Sequence, residues 1–170
     1  MSDWTILFSL VLLLALFYLF LYFKNKRREI KSLIALKKLE NFFEESSNPF
    51  DLNHFVFEGK DYKRKNKIER RFKRRYFFEL LEEFNHQCFK CQKEVKTECD
   101  HFFIPKSYGG NLMVRHKEGF WVCNTVLLCR KCNRLKADKL PKDFFSTEEL
   151  KKSLVHVKRL SELINKRELS

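Results

Sequence analysis

Two pairs of cysteines carry the most specific chemistry in this sequence. Cys88 and Cys91 enclose two residues, and Cys129 and Cys132 repeat that spacing. The spacing lets both thiolates of a pair reach one metal ion, and four thiolates fill the tetrahedral shell of Zn²⁺. Disulfides are the alternative in an oxidising compartment, but the C-x-x-C spacing favours structural zinc in a reducing one. The other two cysteines are predicted to be small buried side chains: Cys99 and Cys123.

A second set of residues is suited to metal-assisted hydrolysis. Asp100 and His101 are adjacent, and Asn133 and Lys136 follow, three residues apart. A carboxylate and a side-chain amide supply the oxygen ligands that Mg²⁺ prefers and leave positions open for phosphate and water. A neighbouring imidazole can take a proton from that water, and a lysine can meet the phosphate as a point charge. The set therefore predicts a hydrolytic site beside the zinc.

Short elements must position these side chains. Two glycines and a proline after His101 predict a tight, irregular loop over residues 102–110. The apolar and β-branched run 120–129 predicts a strand, and residues 132–138 predict a short helix. Residues 111–123 are expected to form a surface loop, with a small hairpin contacting DNA as the alternative.

Longer helices are predicted on both sides of this region. Apolar residues at helical spacing predict a helix over residues 29–45 that packs on the domain, self-associates or lies on a membrane, with packing favoured. Residues 63–84 predict a helix with a basic first half and an apolar stripe. Ser146 and Glu149 form a capping box at the start of a C-terminal packing helix. A short strand or hairpin is expected within residues 50–62.

The sequence is strongly basic, with a formal net charge of +13. A domain this basic needs a polyanionic partner, and both nucleic acid and anionic lipid headgroups qualify. The excess is concentrated between Lys63 and Arg75, where Glu69 is the single acidic residue. Residues of this segment predicted to contact DNA phosphates are Lys63, Arg64, Lys67, Arg70, Arg71, Arg74 and Arg75.

Residues 4–23 are apolar and uncharged. At about 1.5 Å per residue, a helix of this length is about 30 Å long, which matches the hydrocarbon core of a bilayer. Basic residues follow at once: Lys24, Lys26, Arg27 and Arg28. The positive-inside rule then places the C-terminal body in the cytoplasm. We expect a single-pass protein of a bacterial cytoplasmic membrane, and a helix buried in a soluble core is the alternative.

The combined pattern resembles the zinc-stapled branch of the HNH nuclease family. Its elements are C-x-x-C, then D-H-x-x-x-P-x-x-x-G-G, then N-x-x-x-x-C-x-x-C-N-x-x-K, and with the basic helix before them they cover residues 69–141. The resemblance implies an α+β fold with a ββα-metal core, a structural four-cysteine zinc site and flanking helices. The insert before Asn124 is longer than the compact loop of the family.

The resemblance also implies a role for each matching residue. His101 would be the general base that activates water, and Asp100 and Asn133 would ligate catalytic Mg²⁺ or another divalent cation. Asn124 would tie the loop between the strands and so orient His101. Lys136 would lie near the scissile phosphate or support the helix. The reaction would be hydrolysis of DNA phosphodiester bonds.

Two other functions remain open at this point. A four-cysteine zinc module that only binds DNA or a protein partner needs no catalysis, and a membrane scaffold would place the basic helix on anionic lipid. The sequence does not predict an oligomeric state. The expected order is a short extracytoplasmic tail, a transmembrane helix, a juxtamembrane helix with linker, the HNH domain with its leading helix, and the C-terminal helix: residues 1–3, 4–23, 24–62, 63–141 and 142–170.

Overall fold

The computed structural model describes residues 3–45, 52–56, 62–94 and 96–169, with side chains at all of them except 3–9, 45, 52 and 62–65. The fold is mixed helix and sheet, α+β as predicted, and is mostly helical. The helices are α1 (Asp3–Glu45), α2 (Tyr62–Glu83), α3 (Arg130–Lys136), α4 (Pro141–Phe144) and α5 (Thr147–Leu169). The strands are β1 (Phe55–Val56), β2 (Thr97–His101), β3 (Met113–His116), β4 (Trp121–Cys123) and β5 (Thr125–Cys129).

The C-terminal part of α1 packs on the domain. Ala35, Leu39 and Phe42 are buried at helical spacing, and the helix contacts α5 along this face. Burial of a leucine or phenylalanine side chain contributes about 1.5–3 kcal/mol each. The helix predicted over residues 29–45 therefore lies within α1. The later part of its apolar stripe, Leu39 and Phe42, belongs to the core, whereas Ile30, Leu33 and Ile34 are exposed.

The earlier part of α1 is exposed. Side chains from Leu10 to Lys31 are all solvent-accessible, including the large apolar ones up to Phe23. Across the residues that the structure describes, no helix combines the length and the apolar character needed to cross a bilayer. The transmembrane span expected over residues 4–23 is therefore not supported.

The insert between residues 111 and 123 is a hairpin, so the expectation of a surface loop was wrong. Strands β3 and β4 pair in antiparallel register, and β1 adds to β3 on the other side. Gly119 turns the chain with φ of 95°, a backbone conformation that glycine adopts without steric cost. Val114, Phe120 and Val122 are buried. The hairpin is therefore part of the core.

Helix α5 holds this hairpin through side-chain hydrogen bonds to its backbone. Asn165 Oδ1 accepts the N–H of Trp121 at 2.8 Å, and its Nδ2 donates to the Trp121 carbonyl at 2.7 Å. Ser161 Oγ accepts the N–H of Cys123 at 2.8 Å. One edge of β4 is thus satisfied by a helix, which also covers it from solvent.

The second sheet consists of β2 and β5, paired antiparallel with Thr97 opposite Cys129 and His101 opposite Thr125. Helix α3 begins directly after β5 and contacts β2. The strand predicted over residues 120–129 is interrupted at Asn124, which separates β4 from β5. Two strands and a short helix thus form one compact unit.

Helices α2 and α5 complete the frame. The predicted capping box begins α5: Ser146 Oγ accepts the Glu149 N–H at 3.3 Å, and Glu149 Oε2 accepts the Ser146 N–H at 2.7 Å. The short strand expected within residues 50–62 is β1, and residues 57–61 of that segment lie outside the described part. The helix predicted over residues 63–84 is α2.

Candidate functional site

The four predicted zinc ligands converge on one point. The Sγ atoms of Cys88, Cys91, Cys129 and Cys132 all lie within 4.8 Å of one another. A tetrahedral Zn²⁺ with Zn–S bonds of about 2.3 Å holds its sulfurs about 3.8 Å apart. The Sγ atoms of Cys91 and Cys129 are 3.9 Å apart. The cluster therefore fits one tetrahedral metal ion with four thiolate ligands.

Local backbone geometry forms this cluster. Gln92 has a φ of 57°, its N–H donates to the Cys88 carbonyl at 2.8 Å, and the Cys88 N–H donates to the Lys93 carbonyl at 3.1 Å. Cys129 caps the N-terminus of α3, and its sulfur accepts the N–H of Cys132 at 3.5 Å. That N–H lowers the pKa of Cys129 to about 7. The lowered pKa favours the thiolate form that a metal ion binds.

Cys99 and Cys123 lie outside the cluster. Burial raises the pKa of Cys99 to about 11 and that of Cys123 to about 12. Both are neutral thiols at pH 7. Cys123 is buried as expected from the sequence, whereas Cys99 is only partly buried.

Asp100 and Lys136 form a buried ion pair between β2 and α3. Lys136 Nζ lies 2.8 Å from Asp100 Oδ2, and the two side chains are 1% and 10% exposed. Burial raises the pKa of Asp100, and the charge of Lys136 opposes that rise. A lysine this enclosed does not present its charge to a substrate in solvent. Of the two roles expected for Lys136, the geometry favours support of α3.

His101 lies at the end of β2, beside a carboxylate that was not predicted from the sequence. Its Nε2 is 3.5 Å from Glu69 Oε1 of α2, and Lys106 Nζ is 3.3 Å from the same oxygen. Burial lowers the pKa of His101 to about 4, and the charge of Glu69 opposes that shift. The imidazole is therefore neutral at pH 7 and able to accept a proton.

Asn124 is fully buried, and both ends of its amide are used. Oδ1 accepts the N–H groups of Phe103 at 2.6 Å and Ile104 at 3.0 Å. Nδ2 donates to the carbonyls of Ile104 at 2.9 Å and Asn111 at 2.7 Å. In the same loop, a Cβ on Gly110 would lie 2.0 Å from the Ile104 carbonyl oxygen, so glycine is required there. These are the contacts expected of a residue that ties the loop after β2.

Asn133 lies one helical turn before Lys136 and meets β2 at a different carboxylate. Its Nδ2 donates to Glu98 Oε2 at 3.0 Å. Glu98 and Asp100 are two residues apart in β2 and so point to the same face. The two contacts are neighbouring links between β2 and α3. They leave the amide oxygen of Asn133 as the atom able to bind a cation.

Three buried polar atoms at this site lie in charged contacts: Asp100 Oδ2 with Lys136 Nζ at 2.8 Å, and His101 Nε2 with Glu69 Oε1 at 3.5 Å. The first contact has the length of a hydrogen bond, whereas the second is longer than a normal one. Asp100 and Asn133 offer the oxygen atoms that Mg²⁺ takes. Asp100 Oδ2 is already paired with Lys136, which would compete with a cation for that oxygen.

The predicted phosphate-binding residues of α2 lie on different faces of the helix. Five are exposed to solvent: Lys67, Arg70, Arg71, Arg74 and Arg75. Two of these five also pair with Glu168 of α5, whose side chain is 2% exposed: Arg71 and Arg75. The remaining two have side chains outside the described part of the chain: Lys63 and Arg64. Lys67, Arg70 and Arg74 are therefore the exposed residues of this set that are not held by Glu168.

Lys73 and Lys106 add positive charge near His101 that was also not predicted. Both lower the pKa of His101 by their charge. Lys73 follows Glu69 by one helical turn, so the exposed basic surface of α2 reaches the candidate site. The sequence signal that could have found Glu69 is its position as the single acid in a basic run.

Comparisons with protein-family models, with curated proteins and with solved structures found no match for this chain. The residues and geometry described above are therefore what bears on its function.

Proposed function

We propose that this protein is a metal-dependent endonuclease that hydrolyses DNA phosphodiester bonds. The observation that carries the proposal is the Asp100–His101 pair, in which a neutral imidazole directly follows a buried carboxylate along β2. The pair lies on β2, which also contacts α3, the helix that carries Cys132 of the second cysteine pair. The surroundings support the HNH resemblance, because a neutral imidazole, a carboxylate and an asparagine are gathered next to a metal-binding frame.

The residues divide the chemistry of hydrolysis among them. Asp100 and the amide oxygen of Asn133 would hold a divalent cation, which when bound stabilises charge on the phosphate and the leaving oxygen. His101 takes a proton from water as the water oxygen bonds to phosphorus. The bond from phosphorus to the leaving oxygen then breaks, and that oxygen acquires a proton from solvent. Lys73 and Lys106 attract the phosphate to this position.

A nucleic acid fits the charge distribution better than a small phosphate ester does. The exposed residues of α2 extend over more than one turn from the position of Glu69: Lys67, Arg70, Lys73 and Arg74. A row of this kind can contact several phosphates of one strand, and such contacts position a duplex without reading its sequence. DNA is therefore the proposed substrate.

Plasmid cleavage tests the proposal directly. The zinc-loaded full-length protein is incubated with supercoiled plasmid and Mg²⁺ or Mn²⁺, beside the variants His101→Ala and His86→Asn. His86 is an exposed histidine at the end of α2 and is the matched control. We expect the wild type and His86→Asn to cut, and His101→Ala to leave the plasmid intact. Cleavage by His101→Ala at the wild-type rate would rule out His101 as the base.

The ion pair between Asp100 and Lys136 favours a second candidate function. If Lys136 keeps the carboxylate, no cation binds there, and the chain is a zinc module that binds DNA or a protein partner without catalysis. In the same experiment this function predicts that the wild type and His101→Ala both retard the plasmid on a gel and leave it uncut.

We further propose that the exposed apolar part of α1 attaches the protein to a lipid membrane, with the C-terminal domain on the cytoplasmic side. The support is the exposure of apolar side chains from Leu10 to Phe23, followed by exposed basic residues up to Lys31 that suit anionic headgroups. Flotation with vesicles of anionic lipid should carry the wild type upwards. The double variant Leu13→Asp, Phe17→Asp should stay behind, and a wild type that does not float contradicts the proposal.

A further inference from the structure

Glu69 lies inside the candidate site and not at its solvent edge. Its Oε1 is 3.5 Å from His101 Nε2 and 3.3 Å from Lys106 Nζ. The Glu69 side chain is 15% exposed and that of His101 is 13% exposed. The single acidic residue of the basic half of α2 is therefore the one that faces the proposed general base.

An ion pair with Lys106 does not account for this position. Lys106 is 52% exposed, and an ion pair with an exposed partner stabilises a fold only weakly. A largely buried carboxylate loses hydration, and it repels the phosphate of an anionic substrate. The contact with His101 is the one that remains to explain the position, because the buried Nε2 lies 3.5 Å from Glu69 Oε1.

A carboxylate beside one imidazole nitrogen selects the tautomer of the ring. Nε2 carries the hydrogen when it faces Glu69, since an N–H is attracted to the carboxylate oxygen and a lone pair is repelled by it. Nδ1 is then the nitrogen with the free lone pair. After Nδ1 accepts a proton, the charge of Glu69 stabilises the imidazolium, as a carboxylate does in other histidine-based sites.

We propose that Glu69 is the positioning residue for His101, holding the imidazole in the Nε2–H tautomer so that Nδ1 is the base. This inference rests on the proposed nuclease function. Glu69 touches neither the water nor the phosphate and acts through His101. The proton taken from water resides on Nδ1 while the bond from phosphorus to the leaving oxygen breaks, and Glu69 stays ionised throughout.

Kinetics of the full-length protein test this role with Glu69→Gln. The matched control is Glu82→Gln, at an exposed acidic residue of the same helix. We expect Glu69→Gln to lower kcat about 10- to 100-fold. DNA binding measured without divalent cation should be as tight as in the wild type or tighter, since a negative charge has been removed. Glu82→Gln should change neither quantity.

A purely structural role for Glu69 predicts a different pattern. In that case kcat, DNA binding and thermal stability of Glu69→Gln fall together. That pattern, or an unchanged kcat, overturns the proposal.

Nitrogen-15 NMR of the histidine side chains tests the same contact without any need for activity. The signals of His101 are assigned by their absence from His101→Gln. We expect the Nε2–H tautomer in the wild type and a mixture of tautomers in Glu69→Ala. An Nδ1–H tautomer in the wild type, or His101 signals unaffected by Glu69→Ala, overturns the proposal. If the wild type cuts no DNA but the tautomer follows Glu69, the nuclease function fails and the positioning of His101 stands.

Discussion

Lys136 Nζ lies 2.8 Å from Asp100 Oδ2 in the protein interior, and this contact joins α3, which carries Cys132, to the strand that carries His101. The same carboxylate is the proposed cation ligand. The stability of the fold and the proposed cation binding therefore both depend on the Asp100 side chain. Substitutions of Asp100 and of Lys136 should distinguish these two contributions.

Replacing Lys136 by Met should destabilise the fold strongly. The change leaves Asp100 as a buried carboxylate without a counter-charge, and breaking a buried pair in this way costs about 3–5 kcal/mol. The double variant Asp100→Asn, Lys136→Met should recover part of that loss, because no charge is then left buried. Urea unfolding of the three proteins measures the difference. A loss below about 1 kcal/mol in Lys136→Met contradicts the buried geometry.

Removing the metal from the four-cysteine cluster should unfold the site. Structural zinc contributes about 10 kcal/mol in small metal-folded domains, as much as the whole stability of a typical domain. We expect one zinc per chain by elemental analysis, and loss of both metal and cooperative unfolding in Cys129→Ser. Cys99→Ser, at a cysteine outside the cluster, should keep its zinc. Equal zinc content in the two variants would show that the cluster does not bind it.

Asn124→Ala and Asn133→Ala should differ in which property they change. Asn124 makes four hydrogen bonds from a fully buried amide. Each buried peptide group left without its hydrogen bond costs about 1–3 kcal/mol, so Asn124→Ala should lower the free energy of unfolding by about 3 kcal/mol or more. Asn133 is partly exposed and bonds only Glu98, so Asn133→Ala should cost less than about 1 kcal/mol and abolish cleavage. Thermal unfolding and plasmid cleavage on both variants measure the contrast. A destabilised but active Asn133→Ala would remove that residue from the proposed site.

The two kinds of arginine on α2 should behave differently towards DNA. Arg70→Ala with Arg74→Ala removes exposed charges, so DNA affinity should fall and the dependence of log K on log salt should flatten by about one for each phosphate that is no longer bound. Arg71→Ala removes a partner of the buried Glu168, so it should lower stability and leave the salt dependence nearly unchanged. Fluorescence anisotropy at several salt concentrations distinguishes them. Equal slopes for the two would place the DNA on another surface.

Acid should destabilise the protein through His116. Its ring stacks on Phe120 with centroids 4.3 Å apart, and burial lowers its pKa. Below the ordinary histidine pKa of about 6.5, the unfolded chain binds the proton more tightly than the folded one does. Stability from this residue is complete above that pH and is lost as the pH falls through the folded-state value.

The corresponding measurement is urea unfolding at about pH 7.5 and about pH 5. The free energy of unfolding should fall with pH, and it should fall less in His116→Phe, where the stacking ring has no ionisable group. An identical pH dependence in the two proteins would mean that other groups carry the effect.

The residues that are close together in the sequence were the predictable part of the site. The C-x-x-C spacings predicted that the four cysteines share one metal ion, and their Sγ atoms do lie close together. The capping box at Ser146 is likewise a local pattern with a local cause, and it begins α5 as expected. In each case the physical requirement is met within a few residues, so the sequence alone expresses it.

Glu69 and Glu98 were not predictable in the same way. Glu69 lies on a separate helix from His101, and which face of α2 meets β2 is decided by packing that no local pattern encodes. Glu98 meets Asn133 only because α3 folds back on β2. Residues 111–123 were predicted to be a surface loop because the charged residues Arg115 and Lys117 interrupt a short apolar alternation. One strand partner of this segment, β1, also lies far earlier in the chain.

Helix α1 is continuous from Asp3 to Glu45, and among its side chains described from Leu10 onward the buried ones begin at Ser32. A helical spacer fixes angle as well as distance. The stretch from Phe23 to Ser32 is about 14 Å long, and each added residue lengthens it by about 1.5 Å and turns the domain by about 100° around the helix axis. Two inserted residues would therefore point the site about 160° away from its original heading, whereas seven would return it to within about 20°. When the N-terminal segment is held in place, the number of residues in this helical stretch therefore sets the direction in which the domain faces.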